Sequence, residues 1–299
     1  MGNSKEAEAA AYAASMQGIP PPPYQETSEH YAQQGPAPSY GAGEGGSQAG
    51  SISGVKPKFP PALNAYLQMG FTRTFYLGEK KEAPLFAVRM HSGFTKNPDL
   101  VLYDGPSDKG PILATANHES LRKSRSSMMT APAREGLPHD SESQRVAMPA
   151  HTTFKHRTFP FTADVGVGKE TRREQFEWRS SHGAEIRELD GYRWGWKLVR
   201  LSSQAPGGGG DRATRASGST SDGHEIVAVW AHNNTMSMTK AFKFQFLGSA
   251  LSGMLGDRGA ALALISALRI WSLELNSSAA SAASSSAAGV AAAVAAASG

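Results

Sequence analysis

One hydrophobic segment, Gly256 to Leu275, constrains the fold of this chain more than any other feature. Between Ala260 and Leu268 its residues are all apolar except Ser266. A helix with no polar face is either enclosed by protein or in contact with lipid. A membrane span needs roughly 20 apolar residues, whereas the uncharged part here has ten, Gly259 to Leu268, with an arginine on each side. The sequence therefore predicts a buried core helix, with an interfacial or membrane-inserted helix as the alternative.

The chain before this helix contains many short segments in which apolar and polar side chains alternate with the period of a β-strand. In the last of them, Phe242, Phe244 and Phe246 alternate with Lys243 and Gln245. We interpret such aromatic rows as core rather than as a cofactor site. The predicted strands cover residues 72–77, 85–91, 99–104, 112–117, 146–148, 152–161, 172–179, 184–189, 195–201, 225–231 and 240–247. A sheet wrapped around the helix would bury both the helix and the apolar faces of these strands.

Both ends of the chain have low-complexity sequence, so only residues 59–275 are predicted to fold, as one large β domain. Residues 1–58 are rich in Pro, Gly and Gln, and residues 276–299 are almost entirely Ala and Ser. We predict that both are disordered, because they carry few side chains that could form a core. Within the domain, residues 121–145 and 202–223 show little periodicity and are predicted to be long mobile loops.

The composition excludes several classes of site. The chain has no cysteine, so disulfides, thiolate zinc sites and cysteine nucleophiles are excluded. Its nine histidines form no H-E-x-x-H pair, and the four glycines at 207–210 lack the Lys-Ser/Thr of a P-loop. We predict no enzymatic activity, no metal and no cofactor. No secretory signal segment is recognised, which favours a cytoplasmic location.

Charge is concentrated in the predicted domain. The formal net charge is +4, and residues 59–275 carry 27 basic and 21 acidic side chains. This excess permits contact with phosphate groups or an anionic membrane, although an ordinary solvated surface explains it equally well. We predict a monomer with no nucleic-acid partner.

Two short motifs lie in the amino-terminal arm. The start of the chain is similar to a myristoylation site at Gly2, but Glu6 stands where the motif has Ser or Thr. Further along, the residues of a Pro-Pro-x-Tyr motif form a possible ligand for WW domains, which bind preformed polyproline helices. They are Pro21, Pro22, Pro23 and Tyr24. The alternative is a stiff, solvated spacer without a partner.

Six runs of sequence carry a resemblance to a known family. They are LVLYDGPSDKGPILATANH (100–118), FEWRSSHGAEI (176–186), GWKLVRL (195–201), EIVAVWAH (225–232), KFQFLG (243–248) and the helix ending ALRIW (267–271). Together they resemble the tubby C-terminal-like superfamily, in particular its fungal and LURP-one-related members. The resemblance implies a mostly β (α+β) fold, a closed antiparallel barrel of about twelve strands around a central hydrophobic C-terminal helix.

The resemblance also implies a non-enzymatic module that binds phosphoinositides or other anionic phospholipids. The inner face of the plasma membrane would then be its site of peripheral attachment. The Ca²⁺ loop that scramblases of this fold carry is absent from residues 247–257, which argues against scramblase activity. The alternative function is a protein-interaction scaffold that recruits WW-domain partners through its Pro-rich arm.

Four basic residues are the candidate lipid-headgroup site: Arg193, Lys197, Lys240 and Lys243. They flank two aromatic rows, and the pleat of a strand turns the lysines at 197 and 243 outward where the neighbouring aromatic side chains face the core. The alternative is that they are unrelated surface charges.

Overall fold

The computed structural model describes residues 57–67, 73–91, 95–119, 126–133, 142–153, 156–189, 193–204, 209–210, 218–232 and 241–297, with side chains as far as residue 278. All of these lie within the compact unit Gln48–Gly299.

The described strands form one antiparallel sheet of thirteen strands, with the order β7-β6-β5-β4-β3-β2-β1-β13-β12-β11-β10-β9-β8. Their bounds are β1 Ala62–Leu67, β2 Thr74–Gly78, β3 Phe86–Met90, β4 Leu100–Asp104, β5 Ile112–His118, β6 Ser127–Ala131, β7 Gln144–Met148, β8 His151–Thr152, β9 Arg157–Val165, β10 Arg172–Ser181, β11 Gly195–Gln204, β12 His224–His232 and β13 Phe242–Phe246. The first strand pairs with the last, since Leu63 lies opposite Phe244. The mostly β class is confirmed.

The aromatic rows face the core, as their alternation predicted. Phe242, Phe244 and Phe246 are buried, and the intervening Lys243 and Gln245 are only partly covered. The same inner face buries other aromatic side chains of β9 to β12, namely Phe159, Phe161, Phe176, Trp178, Trp196 and Trp230. The sheet therefore has one continuous apolar face.

The helix α2, Gly256–Ala297, lies against that face. Every residue from 261 to 272 is buried, over more than three turns, and the helix contacts β4, β5, β6, β9 and β12. Ser266, the polar interruption, accepts a hydrogen bond from Trp178 Nε1 at 2.8 Å and donates to the Ala263 carbonyl at 2.8 Å. Its hydroxyl is thus satisfied inside the core.

The helix begins at a close contact with the sheet. Gly256 has φ +63°, and a Cβ there would lie 2.2 Å from the carbonyl oxygen of Gly166, just after β9. Glycine is required both for the backbone angle and for the approach.

The hydrogen-bonded ladder does not close into a complete ring among the described strands. β7 and β8 are its two edges, and β7 lies against β9 without pairing to it. Pro160 in β9 lacks an N–H, and proline in a sheet is typical of an edge or a bulge.

Several sequence predictions need correction. Residues 184–189, predicted as a strand, contain the helix α1, Ala184–Arg187. Ile186 and Leu189 are three residues apart, which is also helical spacing, and both pack on Ile226 and Val229 of the outer face. Strands β1 and β6 were not predicted: β1 is rich in residues that favour helices, and β6 lies within the predicted loop 121–145. Pairing with neighbouring strands overrides such weak local preferences.

Two further boundaries differ. The sequence predicted a helix that ends at Leu275 and a disordered tail after it, whereas α2 continues to Ala297. Alanine has the highest helix propensity, which suits a continuation of a helix already begun. In the predicted loop 202–223, β11 runs to Gln204, and Ser219 and Thr220 are buried. Within the part of the chain that is described, no helix is long and apolar enough to cross a membrane.

Candidate functional site

The sheet has two rims, and α2 passes from one to the other. At the entry rim the helix begins beside Gly166. At the exit rim Trp271 packs on Phe75 at the start of β2 and on Phe242 at the start of β13, with ring centroids 5.4 and 5.5 Å apart. The exit rim is the edge formed by the ends of β1, β3, β5, β7, β10 and β12 and by the starts of β2, β4, β6, β9, β11 and β13.

Lys197 of the predicted headgroup site is engaged in an ion pair. Its Nζ lies 3.2 Å from Glu185 Oε1 of α1, and both side chains are mostly covered. Burial raises the pKa of Glu185, but a hydrogen bond from Ser181 and the charge of Lys197 outweigh it, so the pKa is lowered overall. The charge of Lys197 is therefore largely balanced within the fold.

The remaining predicted headgroup residues are dispersed. Lys197 lies opposite Val229 and Lys243 opposite Ala231, so β12 separates the two lysines. From the strand spacing and rise, their Cα atoms are about 12 Å apart. Arg193 is exposed just before β11. Lys240 lies outside the described residues, as do Gly2 and the motif from Pro21 through Pro22 and Pro23 to Tyr24.

A buried polar cluster at the exit rim was not predicted. Its centre is Arg269 of α2, whose side chain is 5% exposed; Nη1 lies 3.0 Å from Asp99 Oδ2, and Nε donates to Ser127 Oγ at 2.9 Å. Asp99 Oδ2 also accepts from the His118 backbone N–H at 3.0 Å and lies 3.1 Å from His118 Nδ1. Burial lowers the pKa of Arg269, and the charge and hydrogen bond of Asp99 only partly offset this.

From the sequence, the uncharged apolar run ends at Leu268, directly before Arg269. The signal that it continues is present: Ile270 and Trp271 follow directly, and with Ser272 they are buried in the structure. An arginine between such residues needs an internal partner. The sequence could not show that this partner is Asp99.

A second polar anchor holds the other side of α2 at the exit rim. Glu274 Oε1 accepts a hydrogen bond from Trp196 Nε1 at 3.0 Å, and Oε2 lies 2.5 Å from His232 Nε2. The partly exposed Trp194 packs on the His232 ring, with centroids 5.4 Å apart. The emerging helix is thus tied to β11 and β12 as well as to β4, β5 and β6.

Histidines are concentrated at the exit rim. Six of the seven that the structure describes lie at strand ends or connections there. They are His91, His118, His151, His156, His182 and His232. His224, at the start of β12, is the one at the entry rim.

Exposed charges in the connections are also distributed unevenly. Among the described residues of the connections, the exposed basic ones at the exit rim are Arg73, Lys96, Arg187 and Arg193, and the exposed acidic ones are Glu119 and Glu188. At the entry rim they are Lys80, Lys81, Lys109 and Lys169 against Glu79, Glu82, Glu142, Glu170 and Asp222. Across these connections the exit rim is the more positive, while the exposed Arg145, Arg172 and Arg173 at the starts of β7 and β10 add positive charge at the entry rim.

Within the described residues, no group of three or more acidic or histidine side chains is placed to hold a metal ion. Comparisons of the chain with protein-family models, with curated proteins and with solved structures found no match.

Proposed function

We propose that this chain is a non-enzymatic module that attaches reversibly to anionic, phosphoinositide-containing membranes through its exit rim. It would do so from the cytoplasm, at the inner face of the plasma membrane, where anionic lipids are concentrated.

The proposal includes a tubby-like fold, a closed barrel around α2. Two features support it: β7 lies against β9 across the gap in the ladder, and residues 261–272 of the helix are buried on every side. Closure of this kind would protect the edge strands from pairing with other chains.

The observation that carries the proposed function is the polarity of the two rims. In the described connections, exposed basic side chains outnumber acidic ones at the exit rim but not at the entry rim, and six histidines lie at the exit rim. Basic groups attract an anionic surface, and the partly exposed Trp194 is of the type that favours the membrane–water interface. Arg193 remains part of this surface, whereas Lys197 contributes little because Glu185 balances it.

Co-sedimentation with vesicles tests this function. The vesicles contain phosphatidylcholine with or without phosphatidylinositol bisphosphate. The triple variant Arg73→Gln, Lys96→Gln, Arg193→Gln should weaken binding roughly a hundredfold, since each basic group contributes about 1 kcal/mol near an anionic surface. High salt should weaken it as well.

The matched control removes three charges from the entry rim: Lys80→Gln, Lys81→Gln, Lys109→Gln. It should bind nearly as tightly as the parent. Equal losses in both triple variants would show that only net charge matters, and no binding by the parent would refute the proposal.

We also propose a second candidate function, recruitment of WW-domain partners, which rests on the sequence motif alone. A peptide of residues 18–27 should bind a WW domain and lose that binding when Tyr24 becomes Ala, because the aromatic ring fills the groove. Fluorescence polarisation against a panel of WW domains measures this, and a panel without any binder would reduce the arm to a spacer.

A further inference from the structure

We propose that the Arg269 cluster is a binding site for one tetrahedral oxyanion, a phosphate or sulfate group, which binds more tightly when His118 is protonated. The site is formed by Arg269, His118, Asp99 and Ser127. That the anion belongs to a lipid headgroup rests on the proposed membrane function; the anion site itself does not.

The Arg269 guanidinium has more N–H donors than it has partners in the protein. It has five N–H groups, and two of its nitrogens bond to protein: Nε to Ser127 and Nη1 to Asp99. In the described part of the chain, no acceptor lies within hydrogen-bonding distance of Nη2. Among the described residues, Nη2 is also not one of the side-chain nitrogens that are buried without a partner. An acceptor from outside the protein can therefore reach it and bond to a positively charged donor.

The two ring nitrogens of His118 have different surroundings. Its Nδ1 faces Asp99 Oδ2 at 3.1 Å. Nε2 has no protein partner among the described residues, and the side chain is 31% exposed. A protonated ring would keep Nδ1–H on Asp99 and present Nε2–H as a second donor. The exposed side of His118 also gives an anion a path to the rim.

The charges of Asp99, Arg269 and His118 form a balanced set. Asp99 lies before β4, Ser127 on β6 and Arg269 on α2, and the exposed Glu119 follows His118 in the chain. With a neutral ring, the charges of Arg269 and Asp99 cancel. Protonation of His118 leaves one positive charge in this set of three, which an anion would neutralise. Anion binding and protonation of His118 therefore favour each other.

The geometry of the donors selects the class of ligand. With Nε on Ser127 and one N–H of Nη1 on Asp99, Nη2 and the second N–H of Nη1 remain for two oxygens of a phosphate or sulfate group. A tetrahedral oxyanion keeps a further oxygen for His118 Nε2. A cation would not bind there, because Arg269 and protonated His118 both present N–H donors and positive charge.

Sulfate is the probe, because its charge is constant between about pH 5 and pH 8, the range in which histidine side chains change charge. The His118 Cε1–H resonance is followed by NMR in the full chain, with chloride at equal ionic strength as the reference. Sulfate should shift this resonance toward its position in the protonated ring. By calorimetry, it should bind more tightly at about pH 5.5 than at about pH 7.5.

Two variants and a control locate the effect. Arg269→Met and His118→Gln should each weaken sulfate binding about tenfold to a hundredfold, the range expected for loss of charge-assisted hydrogen bonds. His151→Gln removes an exposed histidine of the same rim without touching the cluster, and should bind sulfate like the parent. If Arg269→Met does not fold, His118→Gln and the NMR experiment on the parent still test the sulfate site.

An unchanged His118 resonance in sulfate would overturn the site. So would equal sulfate affinities in the parent and His118→Gln at the lower pH. Vesicle binding then tests whether the anion belongs to a lipid headgroup. If it does, His118→Gln should lose the preference for phosphatidylinositol bisphosphate over phosphatidylserine. An unchanged preference would overturn the headgroup assignment. The Arg73, Lys96, Arg193 variant tests the membrane function separately.

Discussion

Arg200, near the entry rim, and Arg269, at the exit rim, are both largely covered, but their donors are used differently. Arg200 Nε and Nη2 bond to Glu174 at 2.5 and 2.7 Å, and Nη1 reaches Glu225 at 3.3 Å and Ser249 at 3.4 Å. Burial lowers the pKa of Arg200, but Glu174 and Glu225 outweigh it, so the pKa is raised. Arg269 has one carboxylate partner, and its pKa is lowered.

The difference separates a structural network from a candidate site. Arg200 joins β10, β11, β12 and the 3₁₀ helix Gly248–Ser252, and each of its three nitrogens has a partner. Such a network fixes geometry and has little left for a ligand. Among the described residues, Arg269 is held by Asp99 and Ser127 alone, and its remaining N–H groups are available to a ligand.

The largest effect should follow from removing the helix that connects the two rims. A chain that ends after Leu255 should not fold, because it loses large buried side chains worth roughly 1.5 to 3 kcal/mol each, against a typical net stability of about 5 to 15 kcal/mol. A chain that ends after Leu275 should retain a cooperative transition. Thermal unfolding followed by circular dichroism compares the two, and a cooperative melt of the shorter chain would contradict a helix-centred core.

Arg200→Met should be the most destabilising of the single substitutions. It leaves Glu174, whose side chain is 3% exposed, with Arg172 as its remaining cationic partner. Breaking a buried pair in this way costs about 3 to 5 kcal/mol. Urea unfolding measures the loss, and exposed Arg173→Met serves as the control. If Arg200→Met lost less unfolding free energy than Arg269→Met, Arg269 rather than Arg200 would be the structural arginine.

Arg269→Met should cost less than Arg200→Met, about 1 to 3 kcal/mol, the range for a buried polar group that loses one partner. Asp99 would keep its two bonds to His118. The same urea experiment tests this, paired with the sulfate titration. A loss as large as that of Arg200→Met would show that Arg269 is needed for folding rather than for a ligand.

The smallest effect concerns Asp222 at the entry rim. Burial raises its pKa, but hydrogen bonds from Thr220 and Arg179 and the charge of Arg179 outweigh it and lower the pKa from 3.8 to about 2. A depressed pKa stabilises the fold above the unfolded value, and the contribution is lost as the pH falls from about 4 to about 2.

Asp222 is 45% exposed, so this contribution should be below about 1 kcal/mol. Asp222→Asn should flatten the acid limb of the stability curve slightly. Urea unfolding midpoints of Asp222→Asn and the parent are measured between about pH 2 and about pH 4. If the midpoints of both proteins change with pH by the same amount, the ion pair with Arg179 does not affect stability.

Much of the fold could be predicted from local pattern. The Phe242 to Phe246 alternation specified which side chains face inward, and the apolar run before Arg269 specified an enclosed helix. Prediction failed where local preference and pairing disagree, as in β1 and α1. The sequence also shows the charge of Lys197 without showing its ion pair with Glu185.

The sequence by itself determined the enclosed helix and the inward aromatic rows, because these depend on neighbours within a few positions and on the periods of helix and strand. Only the tertiary structure decided which charges meet. Arg269 and Ser127 are 142 residues apart in the chain, and the histidines come from six separate connections or strand ends. Strand order and register bring such residues to one rim, and both are set by pairing between distant segments.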